Sequence, residues 1–216
     1  RSTGITDYLA ENMRIAIDSA THRTGMALVE GTQIIGEVYE EGATAHGEAL
    51  PRLAQQLLKD IDRQQINSVA VGMGPGPYTG LRVGIAFAQS FASALSIPLI
   101  PVCTLDVIAA EVMCDREFAV ATDARRKEIY WARYNSNGKR IGNIKVVAPQ
   151  SLAEEERWLP TAGQATNLYA DVFPFVLEPA LPSVAVMAMK AESLALSDSS
   201  PLYLRHPDAT PPGVGR

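Results

Sequence analysis

This chain is short of cysteine, histidine and positive charge, and each shortage removes a class of function. Cys103 and Cys114 are its two cysteines. One disulfide between them stays formally open. Two thiols make neither a zinc cluster nor the staple framework of a small secreted domain, so reduced cytoplasmic thiols are expected. The 3 histidines, His22, His46 and His206, show no ligand spacing, and no His-Glu-x-x-His run is present; a zincin-type protease is therefore unsupported. Aromatic residues make up 6% of the chain, an ordinary globular value. Lys and Arg number 19 against 24 Asp and Glu, a net charge of −5. That balance argues against a free-standing nucleic-acid binder, which carries a basic stripe, though not against a subunit whose partner holds the RNA. Residues 83–105 carry no charge, yet Pro98 and Pro101 interrupt the run and Gln89, Ser90, Ser93 and Ser96 dilute it. A helix followed by a buried strand fits better than a membrane span. No secretory signal is recognisable.

Glycine, by contrast, is concentrated in one place. Gly72-Met73-Gly74-Pro75-Gly76-Pro77-Tyr78-Thr79-Gly80-Leu81-Arg82-Val83-Gly84 holds 5 glycines and 2 prolines in 13 residues, and a helix-like run follows. Such a turn either presents backbone amides to an anion at a helix N-terminus or brings two packed elements close together. Beyond it Gly80, Gly84, Ala88 and Ala92 recur every four residues, Ser96 continues the row, and Val83, Phe87 and Phe91 supply bulk beside it. A ridge of small residues lets another backbone approach closely. Two readings stay open: the ridge packs on the chain's own sheet, or it receives a second helix from another chain.

Periodicity predicts a strand at residues 14–18 ending in Asp18, a polar turn, and strands at 26–30 and 33–39, an antiparallel meander. An amphipathic helix is expected at 46–61, with Leu50, Leu53, Leu57, Leu58 and Ile61 on its apolar face. A buried strand at 68–71, a helix at 80–95, a strand at 98–102 and a helix at 105–113 follow. The pattern then restarts, with strands at 118–123, 128–134 and 141–147 and a shorter helix at 151–157. Ala16-Ile17-Asp18 and Ala121-Thr122-Asp123 hold the same place in the two meanders. A last helix is expected at 184–196. A duplicated β-β-β-α-β-α unit predicts an α/β protein of two related lobes, mixed sheets flanked by helices, as in the actin-like ATPase (ASKHA, ribonuclease H-like) fold. The expected division is a first lobe at 13–114, a reduced second lobe at 115–184, and a C-terminal helix and tail at 185–216 packing back on the first lobe. Residues 1–12 read as a vector-derived or disordered leader.

In such a fold Asp18 and Asp123 would face each other across a cleft and hold a metal–nucleotide, with Ser19 and Thr21 donating to phosphate. The plain alternative is an Asp bonded to its own turn. Asp123 is followed by Arg125-Arg126-Lys127 rather than a glycine turn, and Gly163 in Thr161-Ala162-Gly163 is a weak nucleotide signal. Independent ATP hydrolysis is disfavoured on these grounds. The basic run either touches RNA or a partner or is a solvated charge run. His46 and Glu48, two residues apart at a helix start, do not share a face; an interface role suits them better than acid–base chemistry.

Five motifs in order resemble one family. They are Ile15-Ala16-Ile17-Asp18-Ser19-Ala20-Thr21, His46-Gly47-Glu48-Ala49-Leu50-Pro51, the stretch from Gly74 to Gly84, Asp123-Ala124-Arg125 with Glu128-Ile129-Tyr130-Trp131-Ala132, and Pro201-Leu202-Tyr203-Leu204-Arg205. They span most of residues 13–208 and are similar to the TsaB (YeaZ) family, a bacterial subunit of the tRNA threonylcarbamoyladenosine machinery. The catalytic relative, TsaD, shares the glycine loop and carries two metal-binding histidines four residues apart after its helix. Aligning residues 101–108 with that segment puts Thr104 and Ile108 at those positions, and neither replaces an imidazole.

The resemblance implies a non-catalytic scaffold or activator with no metal. It would be required for transfer of a threonylcarbamoyl group, from an adenylate made by TsaC-type enzymes, to N6 of the adenosine next to the tRNA anticodon. It implies pairing with TsaD and with the ATPase TsaE, tRNA contact only through the complex, a homodimer when alone, a cytoplasmic location and no membrane. The implied interface is His46, Leu50, Leu53, Leu57, Gly80, Gly84, Phe87, Ala88 and Phe91; the signature loop is Gly74, Pro75, Gly76, Thr79, Gly80 and Arg82. No cofactor is expected beyond weak ATP or ADP binding in the complex. The competing class is a stand-alone actin-like ATPase or phosphotransferase, which would bind Mg-nucleotide tightly between Asp18 and Asp123. An old peptidase-like classification of the family finds no protease constellation here.

Overall fold

The computed structural model describes residues 13–42 and 46–204. The leader at 1–12, Arg205 of the last motif, His206 and the tail lie outside the described residues. The first half contains β1 (Met13–Asp18), β2 (Arg23–Glu30), β3 (Gln33–Glu41), α1 (His46–Leu57), β4 (Ile66–Gly72), α2 (Tyr78–Leu95), β5 (Leu99–Val102) and α3 (Thr104–Ala109). The second contains β6 (Phe118–Asp123), β7 (Ile129–Tyr134), β8 (Arg140–Val147), α4 (Glu154–Arg157), β9 (Thr161–Ala162), α5 (Ala165–Leu168) and β10 (Val176–Leu177). Two short helices follow, α6 (Val184–Met189) and α7 (Ala191–Leu194).

The strands form two five-stranded sheets, β3-β2-β1-β4-β5 and β8-β7-β6-β9-β10. The orders are equivalent: in each, a meander is extended by two parallel strands added beside its first strand. The α/β fold of two related mixed sheets read from the repeat is thus present.

Strand period decides which helices cover which face. In the first sheet Ile15, Ile17, Met26, Leu28, Val69 and Val71 point one way and join Leu50, Leu53, Leu81, Ile85 and Ala88 of α1 and α2 in one core. Ala16, Ala27, Val29 and Ala70 point the other way, and their short side chains let Val184, Ala185, Met187 and Ala188 of α6 sit close. Arg14 shares that second face. Its Nε donates to Ser68 Oγ (2.9 Å), its Nη1 to Ala188 O (2.7 Å), and its guanidinium pairs with Glu192 of α7. In the second sheet Phe118, Val120, Ala132 and Tyr134 meet Leu105 and Ile108 of α3, while Ala119, Ala121, Ile129 and Trp131 meet Leu152, Ala165 and Phe173.

Four expected helices differ; the one expected at 105–113 runs only over Thr104–Ala109. α1 stops at Leu57 rather than at residue 61; a turn follows, and the Asp62 side chain then accepts from Gln64 N (3.0 Å) and caps a separate 3-10 turn, Arg63–Gln65. The helix expected at 151–157 shrinks to one turn, Glu154–Arg157. The helix expected at 184–196 breaks at Lys190, and beyond it Leu196 N donates to Pro101 O (2.9 Å), covering the open edge of β5. Among the described residues no helix is long and apolar enough to cross a membrane.

Candidate functional site

The glycine loop is a packing device. Gly74, Pro75, Gly76 and Gly80 are buried, whereas Thr79 and Arg82 are exposed. A Cβ at Gly76 would overlap Ala20 O, and one at Gly72 would overlap the Asp18 carboxylate. Both sides of the loop are stitched to neighbours: Met73 N donates to Val102 O (2.8 Å), Thr104 N to Gly74 O (2.8 Å) and Leu202 N to Met73 O (2.9 Å). At the loop's exit, Arg82 donates to Tyr78 Oη (3.1 Å) and the Tyr78 ring lies 4.9 Å from that of Tyr203.

The small ridge of α2 turns inward, which corrects the sharper of the two readings. A Cβ at Gly84 would overlap Ser19 Oγ; one at Gly80 would lie 2.8 Å from the His46 ring and 2.9 Å from Ser19 O. Ser19 Oγ donates to Gly80 O (2.8 Å), and His46 Nδ1 lies 2.6 Å from Thr24 Oγ1. Gly80, Gly84, Ala88, His46, Leu50 and Leu53 are all buried inside the chain's own core, so these six nominated residues offer no surface to a partner. Leu57 is half-buried, its Cδ1 2.7 Å from where a Cβ on Gly36 would stand. Phe87 and Phe91 alone among the nominated nine line an open groove. With Pro51, Ala54, Gln55, Leu58, Lys59, Arg63, Ala94 and Leu95 they enclose about 650 Å³ between α1 and α2. Ala54, Ala94 and Leu95 join them there, and the i, i+4, i+8 spacing of Phe87, Phe91 and Leu95 is the sequence signal for this face.

The two cleft aspartates are not brought together around one pocket. Asp18 is fully buried: Oδ1 accepts from Ala20 N (2.7 Å) and Oδ2 from Thr104 Oγ1 (2.7 Å). Burial pushes its carboxyl above the ordinary value of 3.8. Ser19 is spent on α2. Thr21 and Asp123 instead line a pocket of about 340 Å³ with His22, Arg125, Gln164 and Asn167. There Asp123 Oδ1 accepts from Arg125 N (2.8 Å), the self-bonded turn of the plain reading. Arg125, Arg126 and Lys127 all carry positive φ, 63°, 52° and 62°, at the hairpin tip. His22 crosses the gap, with Nδ1 2.7 Å from Gln164 Oε1 and Nε2 2.9 Å from Glu41. Tyr130 Oη donates to Gly76 O (3.3 Å), tying the second sheet to the glycine loop.

Thr104 and Ile108, at the positions aligned with metal-binding histidines, are wholly buried. Thr104 is engaged with Asp18 and Ile108 packs against the second sheet. A metal at this place would meet one engaged hydroxyl and one alkyl chain, a donor set that does not fit it.

Comparison with known proteins places this geometry. The sequence profile of the family described as TsaD, tRNA N6-adenosine threonylcarbamoyltransferase, matches residues 31–195. An uncharacterized protein of Mycobacterium tuberculosis is 36% identical over 205 residues, which cover 93% of this chain and 95% of the relative. The tRNA threonylcarbamoyladenosine biosynthesis protein TsaB of Escherichia coli is 29% identical over 222 residues, covering 90% of this chain and 95% of its own. YeaZ from Pseudomonas aeruginosa shares the fold, with a TM-score of 0.72 at 23% identity over 89% of this chain and 100% of that one. With its five motifs in order and its two equivalent sheets, the chain belongs to the TsaB (YeaZ) family, within the wider group that shares the TsaD-type domain.

Proposed function

We propose that this protein is a non-catalytic subunit of the tRNA threonylcarbamoyladenosine machinery, required for threonylcarbamoyl transfer to N6 of the adenosine next to the anticodon. It pairs with a TsaD-type catalytic subunit through the α1–α2 groove and works with a TsaE-type ATPase in the cytoplasm. The observation that carries the pairing is the groove itself. Phe87 and Phe91 are half-buried on a core whose inner face is already complete, and a helix laid between α1 and α2 would bury their outer faces. Aromatic anchors of this kind concentrate binding energy, each contributing about 1.5–3 kcal/mol on full burial. In the absence of TsaD the same groove pairs two copies of this chain isologously.

The lack of independent chemistry is supported by the sealed state of Asp18, Thr104 and Ile108. An actin-like phosphotransferase needs a carboxylate free to meet Mg-nucleotide, and both Asp18 oxygens are engaged within the chain. Nucleotide held at Asp18 is accordingly weak and confined to the assembled complex.

The test uses positions exposed in the monomer. Ala94→Arg and Gln55→Arg place charge in the groove without touching the core. Their melting temperatures should stay within about 2 °C of the parent, because surface substitutions shift stability little. Co-elution with the TsaD-type subunit should be lost, and reconstituted tRNA modification should fall at least tenfold. Retained co-elution by both variants would overturn the assignment.

A further inference from the structure

A second open region lies away from the α1–α2 groove. Between α3, the β7–β8 turn and the α6–α7 junction runs a cleft of about 1000 Å³. Its polar lining includes Ser136, Asn137, Lys139, Arg140, Lys190 and Ser193. Among all its lining residues three are cations and one, Asp106, is a carboxylate. That carboxylate is occupied: Tyr134 Oη donates to Oδ1 (2.8 Å) and Arg140 Nη2 lies 3.4 Å from Oδ2. In a chain of net charge −5, the cleft is a local reversal of sign.

The cations are set in place by the fold. Arg140 has a side chain only 25% exposed, held by Asp106 and by Cys103, whose Sγ accepts from Nη1 at 3.9 Å. A guanidinium fixed in this way loses little freedom on meeting an anion. Lys139 follows Gly138, whose φ of 72° lets the turn approach α3; a Cβ there would lie 3.3 Å from Ala109 O. Lys190 stands where the expected last helix breaks, and its Nζ donates to Ala110 O (2.6 Å) on the cleft wall. A helix unbroken to residue 196 would place this side chain differently. Two acids lie nearby: Glu192 pairs with Arg14, and Glu111 accepts from Ser183 N (3.2 Å) while remaining within the electrostatic reach of Lys190.

We propose that this cleft binds phosphate groups, as strung along an RNA backbone or carried by a free nucleotide. Three cations from two separate segments, interspersed with hydroxyl and amide donors, match several phosphates better than one compact anion. The RNA source rests on the tRNA role proposed above, and it adds a direct contact where tRNA was expected only through the complex; the nucleotide source does not depend on that role.

The test measures binding of a labelled single-stranded RNA to the full chain by fluorescence anisotropy as salt is raised, with ATP titrated separately by calorimetry. Three phosphate contacts predict a slope of log K against log salt of about −2, since each contributes about −0.7. Lys139→Glu combined with Lys190→Gln should lower RNA affinity at least tenfold and bring the slope to about −0.7. Lys139→Glu alone, at an exposed turn position, should give part of that loss with an unchanged thermal melt, which separates binding from folding. Lys127→Glu, on the other hairpin of the same sheet, should leave affinity and slope unchanged. Loss of ATP binding in the double variant, without any RNA binding by the parent, assigns the cleft to a nucleotide. The proposal is overturned if the parent binds neither probe, if the double variant binds like the parent, or if Lys127→Glu alone abolishes binding. Co-elution of the double variant with the TsaD-type subunit is read in parallel, so failure of the subunit assignment and failure of the cleft are told apart.

Discussion

At the scale of single residues, burial decides what the nominated chemical groups do. Asp18 closes its strand as the repeat requires, but it faces the chain's own Ala20 and Thr104 rather than solvent. Because burial raises its pKa, the folded protein holds this proton more readily than the unfolded chain. Its favourable contribution is fully present below the unfolded value near 3.8 and is lost as pH rises through the folded value. Asp18→Asn removes that titration. The melting temperature of the parent relative to the variant should therefore be highest below the unfolded value near 3.8 and decline as pH rises above it, read from thermal melts of both proteins; parallel curves would refute it. Cys103 obeys the same rule. Burial pushes its thiol up to about 12, so it is inert, whereas Cys114 is only half-buried. A disulfide reagent should titrate one thiol quickly in the native protein and two in denaturant.

At the scale of elements, α2 has two working faces. The small face is consumed by the turn after β1, through Ser19, and the aromatic face lines the open groove against α1. Gly84→Leu, at a position the resemblance implies for the interface, should instead destabilise the monomer. The new side chain would have to displace Ser19 and break its bond to Gly80 O, costing about 3 kcal/mol or more. A urea midpoint lowered accordingly, with Ala94→Arg near the parent value, would separate the two faces. The row Gly80, Gly84, Ala88, Ala92 was legible as a site of close approach. What approaches it was not, since a four-residue period specifies a ridge and says nothing of its neighbour.

At the scale of the whole molecule, the C-terminal helices are fastened to the first sheet by a buried cation. Arg14 keeps its bonds to Ser68 and Ala188 O if Glu192 is lost, and Glu192 is largely exposed, so Glu192→Ala should cost only about 1–2 kcal/mol. Arg14→Ala removes every link at once and should cost more; equal losses in denaturant titrations would argue against Arg14 as the fastening point. The duplicated meander, the order of motifs and the glycine loop were readable from the chain, because strand period, turn chemistry and small-residue spacing are local properties. Those same features determined the two-sheet α/β fold and the family. The break at Lys190, the sealing of Asp18 by Thr104, the inward turn of the glycine ridge and the outward groove at Phe87 and Phe91 were decided only by tertiary structure. Each depends on which face meets a segment distant in sequence: Ser19 meets Gly80 across 61 positions, Asp18 meets Thr104 across 86, and Arg14 meets Ala188 across 174.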